Sequence, residues 1–250
     1  GAAAVNASAY SLRTENGITC KIADNGENKG SYTGWAKNGS GGYCYFLNGE
    51  KVRSTWLAEN GERKYYALNS GRIAVGDAVI GGKTYTFDRD GVLLPENFGV
   101  EMQLHVRREN VFVSMVTDTA KLKGIDREFD RSAMPTLERK TETGWVKSDT
   151  RGTRRNVISV EDDDKYYFET FWTNDGYPLE NGTYRLTKKF TVRSGKLVGG
   201  VKTYTLVKEF AIDDTTEHAF FEPPELTVKA ANKLLTAEKG TYSWDNSYGR

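Results

Sequence analysis

The sequence predicts an all-β protein in two parts, a stack of short hairpins followed by a sandwich of longer strands. Three observations carry this expectation. Aromatic residues in the first hundred positions recur every 21 residues, and the residues after Pro95 alternate between apolar and polar. Gly, Tyr and Phe are abundant at 26, 14 and 11, and no long Leu/Ala-rich stretch suggests a helix. At 250 residues, with 28% charged and 38% hydrophobic side chains, the chain can fill one large or two ordinary globular domains.

Charge and hydropathy exclude several classes of partner. No apolar run approaches the roughly 20 residues that a membrane-spanning helix needs. The 35 basic and 34 acidic residues nearly cancel, to a formal charge of +1. Such a balance argues against nucleic acid or an anionic membrane as the main partner. The basic run at 151–155 and the acidic run at 161–164 read as solvated loops.

The opening Gly1-Ala2-Ala3-Ala4-Val5-Asn6-Ala7 reads as the small-residue region beside a removed signal peptide. Residues 1–14 are therefore expected to be a disordered or post-signal N-terminus, and the protein to be extracellular. Cys20 and Cys44 lie close enough in sequence for two neighbouring hairpins to join them in a disulfide, which an exported protein permits. Two free thiols are the alternative. Zinc is disfavoured, because neither cysteine has a CxxC partner or a nearby His.

The periodicity is specific. Trp35 and Trp56 are 21 residues apart, as are Tyr45, Tyr66 and Phe87. Three units, 34–55, 56–77 and 78–96, each run as a short strand, a Gly turn (Gly39, Gly61, Gly81-Gly82), an aromatic strand and a second Gly turn (Gly49, Gly71, Gly91). A fainter copy precedes them, with Asn16-Gly17, Cys20, Ile22 and Asn25-Gly26. Asn-Gly and Gly-Gly pairs supply the positive φ angles of tight hairpin turns. One such hairpin cannot bury its apolar face alone, whereas stacked copies can. The equal spacing predicts that Tyr45, Tyr66 and Phe87 occupy equivalent places along the stack.

Gly34-Trp35, and Tyr65-Tyr66 followed by Asn69-Ser70-Gly71, resemble the cell-wall-binding (choline- or glucan-binding) repeat family over residues 15–96. The resemblance implies shallow aromatic cages that hold choline groups of wall teichoic acids or stack on sugar rings. The matching residues are Trp35, Tyr43, Tyr45, Trp56, Tyr65, Tyr66, Tyr85 and Phe87. Departures are present: Asp77-Ala78 stands where the family has Gly-Trp, Thr55 precedes Trp56, and Cys44 interrupts an aromatic pair. A family cage draws two Trp and one Tyr from adjacent repeats, so at most one complete cage is expected, between the first two units. The alternative role for each aromatic is packing within or between hairpins.

Beyond Pro95, Val100, Met102, Leu104 and Val106 alternate with polar residues, as do Val111, Val113 and Met115. Further strands are expected at 133–140, 156–160, 166–172, 182–192 and 202–212. About seven strands without a helix fit an immunoglobulin-like sandwich over residues 97–213. Leu179 to Leu186, with Asn181-Gly182 leading into Tyr184, has the order of a tyrosine corner. The stretch 172–190 resembles a bacterial immunoglobulin-like domain of exported Gram-positive proteins, which implies an extracellular fold and no reaction. Trp172, Tyr184 and Phe190 are accordingly structural, and residues 214–250 form a C-terminal tail with a partial β element.

Chemistry is not legible. His105 and His218 lack metal-ligand spacing, and no phosphate loop, nucleophile elbow or Cys/His pair stands out. Asp88, Asp90 and Gly91 read as a hairpin turn and not as a calcium loop. No catalytic residue, metal or cofactor is expected. The reading that follows is a non-catalytic, secreted surface protein. Its hairpins bind a cell-wall polymer, choline-bearing teichoic acid or glycan, and its sandwich acts as a spacer or protein contact. The alternatives are a structural or protein-interaction module with degenerate repeats, and an accessory region of a surface hydrolase.

Overall fold

A computed structural model describes residues 10–37, 40–123, 125–130, 133–148, 154–156, 160–162, 164–173 and 177–218. The N-terminal part is a series of small antiparallel sheets. β1 (Tyr10–Glu15), β2 (Ile18–Ala23) and β3 (Asn28–Ser31) make the first, and β4 (Gly34–Lys37), β5 (Tyr43–Leu47) and β6 (Glu50–Lys51) the second. β7 (Thr55–Glu59) with β8 (Arg63–Ala67), and β9 (Gly76–Ile80) with β10 (Lys83–Phe87), make two further hairpins. β1 begins inside the stretch expected to be an unstructured N-terminus. The faint first copy is thus a hairpin in its own right, closed by Asn16 and Gly17 at φ 50° and 80°. Residues 1–9 of that expectation lie outside the described residues.

The backbone joins each hairpin to the next. Ile73 N–H donates to Tyr43 O and Leu93 N–H donates to Lys64 O, both at 2.8 Å. The second-turn glycines sit at these junctions. A Cβ on Gly91 would lie 2.5 Å from Ile73 Cγ2, and one on Gly71 would lie 2.2 Å from Lys51 Cδ. They also hold φ at +81° (Gly71) and +82° (Gly91), which disfavours any side chain. A small core of Tyr65, Ala67 and Ile73, flanked by Trp35, Val52, Leu57 and Val92, fills the junction between hairpins.

Register corrects one sequence expectation. Trp35 faces Tyr45 and Trp56 faces Tyr66, but Asp77 faces Thr86 while Phe87 faces Gly76. The backbone agrees: Val52, Ala74 and Leu94 N–H donate to Tyr45, Tyr66 and Thr86 O at 2.9, 2.8 and 2.9 Å. Thr86, and not Phe87, is the counterpart of the two tyrosines. The cause is the Gly81-Gly82 turn, one residue shorter than the Asn60-Gly61-Glu62 loop. A one-residue shift sends every following side chain to the other face.

The second part is a sandwich. One sheet contains β11 (Val100–Val106), β12 (Val111–Asp118), β16 (Arg154–Asn156), β17 (Val160–Asp162) and β18 (Lys165–Thr173). The other contains β13 (Glu128–Asp130), β14 (Thr136–Thr141), β15 (Gly144–Lys147), β19 (Gly182–Arg193) and β20 (Val201–Ile212). Inward residues of both sheets, among them Met102, Val113, Phe171, Leu137, Leu186 and Phe190, form one core. The Phe129 and Phe168 rings stack across it at 4.3 Å. β13 and β15 are additional to the strands read from sequence. β16 and β17 reach into the runs read as solvated loops, because a short polar edge strand is held by backbone pairing to β18.

The Tyr184 hydroxyl donates to Glu180 O at 2.8 Å, which is the tyrosine corner read from the sequence. Tyr184 and Phe190 are buried. The side chain of Trp172 and residues 219–250 lie outside the described residues.

Lys188 and Glu169 form an ion pair at 3.0 Å with side chains 0% and 1% exposed. Lys188 also donates to Ala133 O, and its ammonium lies 5.6 Å from the centre of the Phe171 ring. Desolvated pairs are tolerated only while both charges remain. Lys188→Ala or Glu169→Ala should therefore destabilise the protein by about 3–5 kcal/mol in urea unfolding, whereas the double change Lys188→Met/Glu169→Leu should recover most of that loss.

Candidate aromatic binding site

Antiparallel pairing places a Trp on the first strand of a hairpin beside a Tyr on the second. In the β4–β5 hairpin the Trp35 and Tyr45 rings are 5.1 Å apart at 72°, and in β7–β8 Trp56 and Tyr66 are 5.1 Å apart at 65°. Each pair receives a third ring from the next hairpin. Tyr65 reaches Trp35 at 4.8 Å, and Tyr85 reaches Trp56 at 5.1 Å. The register makes Tyr65 and Tyr85 equivalent, since each stands one residue before the partner of the Trp-equivalent position. Two like clusters result, each of one Trp and two Tyr, which differs from the two Trp and one Tyr expected of a complete cage.

The clusters differ in openness. Trp56 is 40% exposed, whereas Tyr65 is only 7% exposed. The Tyr65 hydroxyl donates to Glu59 Oε2 at 2.9 Å, so a carboxylate stands beside the first cluster. Burial first, then Glu59, pushes the Tyr65 phenol above its ordinary pKa, so the ring stays neutral. Phe87 is fully buried and lies 6.0 Å from Trp56, as packing beneath the second cluster. Tyr43 joins neither cluster; it is exposed beside Lys37, whose ammonium is 5.8 Å from its ring centre.

The cysteines occupy the third-ring position of the earlier hairpins. Cys44 faces Ala36 one residue before Tyr45, and Cys20 faces Arg13 one residue before Lys21. They belong to two separate sheets and remain free thiols, so the expected disulfide is not formed. A different ring group, not found by the sequence reading, lies here. Tyr32 contacts Tyr10 at 6.2 Å and Phe46 at 6.0 Å. The Lys21 ammonium lies 5.3 Å from the Tyr10 ring centre and 5.7 Å from that of Tyr32, so the protein's own cation occupies this group. Tyr10 and Tyr32 fall outside the 21-residue phase, which is why periodicity passes over them.

In the β9–β10 hairpin a polar clasp takes the place of the facing Trp–Tyr pair. Thr86 Oγ1 donates to Asp77 Oδ1 at 2.8 Å, and Lys202 Nζ of β20 reaches both residues. Arg89 Nε donates to Leu197 O at 2.9 Å, and Lys196 pairs with Asp90 at 3.0 Å. These contacts fix the last hairpin to the β19–β20 turn. Asp88 Oδ1 accepts from the Asp90 and Val92 N–H groups at 2.9 and 2.8 Å, so this stretch is a self-capped turn, as the sequence suggests. Among the described residues no group of three or more His, Cys, Asp or Glu could hold a metal ion.

No protein family matches the chain, and no curated protein does. Solved structures similar to it include a multimodular pneumococcal cell-wall endolysin from phage Cp-1 complexed with choline. That match has 20% identity, covers 56% of this chain and 35% of that one, and has a TM-score of 0.27. A choline-binding domain from Streptococcus pneumoniae has 27% identity over 36% of this chain and 99% of its own, with a TM-score of 0.26. Choline-binding protein F from the same organism has 16% identity, 62% and 50% coverage, and a TM-score of 0.26. The chain spans 40% and 35% of the length of two endolysin structures it matches.

Burial pulls the Asp77 carboxyl upward, but hydrogen bonds from Lys202 and Thr86 and the Lys202 charge outweigh it and hold the pKa below the ordinary value. A depressed carboxyl contributes stability in full above its unfolded pKa, about 3.9, and that stability is lost as pH falls through the folded value. Asp77→Asn should therefore lower the melting temperature at pH 7. The difference from wild type should shrink as the pH is taken below about 4.

Proposed function

We propose that the chain is a non-catalytic, secreted surface protein that binds a cell-wall polymer through its paired aromatic clusters. The observation that carries this is the recurrence of one arrangement: a Trp and a Tyr across a hairpin, closed by a Tyr from the next. Ring faces carry negative quadrupole charge and attract a quaternary ammonium, by about 0.5–2 kcal/mol per ring according to desolvation. Two or three rings, with Glu59 nearby at the first cluster, suit a choline group better than a neutral sugar. A single choline is then a weak ligand of millimolar affinity, about −4 kcal/mol. A polymer carrying many cholines gains by engaging both clusters at once.

The second part is read as an immunoglobulin-like spacer or protein-contact domain. Its support is a pair of facing antiparallel sheets and the Tyr184 corner. Packing has its own claim on two of the rings, since Tyr65 and Phe87 are buried.

Choline titrated into the protein should change Trp fluorescence and saturate in the millimolar range. Trp35→Ala and Trp56→Ala should each remove one of two sites, whereas Tyr43→Ala should leave the choline curve in place. A flat choline curve alongside a response to muropeptides would move the reading to a glycan. No response to either ligand, or release of soluble products from wall polymer, would sink it.

A further inference from the structure

Among the described residues, the longest strand edge without a partner is the outer edge of β20. β20 pairs with β19 through 12 consecutive residues, from Val201 opposite Arg193 to Ile212 opposite Gly182, with no shift of register. Ser194 N–H donates to Gly200 O at 3.0 Å, which sets the phase of this ladder. Bonded pairs alternate along antiparallel strands, so the even-numbered residues of β20 bond to β19. Thr203, Thr205, Val207, Glu209 and Ala211 therefore turn their N–H and C=O groups outward. Among the described residues no backbone–backbone bond ties 201–212 to anything but β19.

A free edge of this length is a template for another strand, and proteins usually blunt it with a proline, a bulge or an unpaired lysine. β20 has neither a proline nor a bulge. Its two lysines are engaged on the inner side, Lys202 with Asp77 and Thr86, and Lys208 with Met102 O at 3.1 Å. The outer row, Val201, Thr203, Thr205, Val207, Glu209 and Ala211, is exposed and carries one charge. Val207, at its middle, is 55% exposed. The edge is open and unguarded.

We propose that β20 pairs antiparallel with β20 of a second copy of this chain, about a twofold axis at Val207, joining two sandwiches through one continuous sheet. With Val207 against its copy, Thr205 lies opposite Glu209 and Thr203 opposite Ala211, so no like charges face each other. Sliding the register toward Ile212 would set Lys208 or Glu209 against its own copy. On the outer face Arg185 stands beside Glu209, and Lys189 beside Thr205. Each Glu209 thus enters a cross-strand row with a basic residue at either end. The outward groups of both strands supply about ten backbone hydrogen bonds, as many as an ordinary interface carries. The aromatic clusters lie on other strands, so the pairing is independent of the choline reading.

Sedimentation of the full chain over a concentration series should show a monomer–dimer equilibrium. Val207→Lys and Val207→Glu each change an exposed side chain and should keep the far-UV circular dichroism of the folded protein. Each should weaken dimerisation by about tenfold or more, because like charges then face across the axis. An equimolar mixture of the two should restore the dimer. In the dimer the amides of Thr203, Thr205, Val207, Glu209 and Ala211 should exchange more slowly than in the dilute monomer. A chain that stays monomeric, a dimer that both charged variants leave intact, or a mixture no tighter than either variant alone overturns the pairing. Slow exchange of those amides in the monomer overturns it too, since the edge would then be covered by the chain itself.

Discussion

A two-stranded hairpin has two faces and too few residues to shield either from water, and the N-terminal half of this protein is organised by that shortage. Each hairpin is completed by the one after it. The contact is closest where the second-turn glycines, Gly71 and Gly91, meet Lys51 and Ile73 of the preceding unit. Backbone hydrogen bonds such as Ile73 to Tyr43 lock that approach. Because neighbouring hairpins are fixed in this way, a tyrosine from one unit arrives against a tryptophan of another. The same constraint that makes the stack stable builds the aromatic clusters.

The clusters and the joint between the domains are alternative uses of one position. In the second and third sheets the facing pair is Trp and Tyr; in the fourth it is Asp77 and Thr86, held by Lys202. Replacing ring faces by a hydrogen-bonded carboxylate turns a surface suited to a soft cation into one that grips a lysine. The last hairpin thereby fixes the stack to the sandwich.

Much of this was readable in the residues. The turn glycines marked the hairpins, alternation marked most of the sandwich strands, and Asn181-Gly182 before Tyr184 marked the corner. What was not readable has physical causes. A turn shortened by one residue at Gly81-Gly82 preserves the 21-residue spacing of Phe87 while reversing its face, so counting along the chain misplaces it. The third ring of each cluster comes from a different unit, which spacing within a unit cannot reveal. Lys188 falls on the inward series of Tyr184, Leu186, Phe190 and Val192, and alternation places it in the core. Its partner Glu169 lies opposite a register shift in β12, where simple alternation breaks down. Six of the eight aromatics chosen as binding residues make up the two clusters, Phe87 packs beneath the second, and Tyr43 stands apart on the surface.

The first sheet shows what becomes of such a junction when no outside cation is needed. Lys21, in the register place of Tyr45, lays its ammonium over Tyr10 and Tyr32. A tethered amine is always present and costs no translational freedom to bring in, so these two rings already face a cation. Occupancy is thereby uneven along the array. The first junction is closed by the chain itself and the last is committed to its neighbour domain, so under the proposed function the ligand sites lie between them.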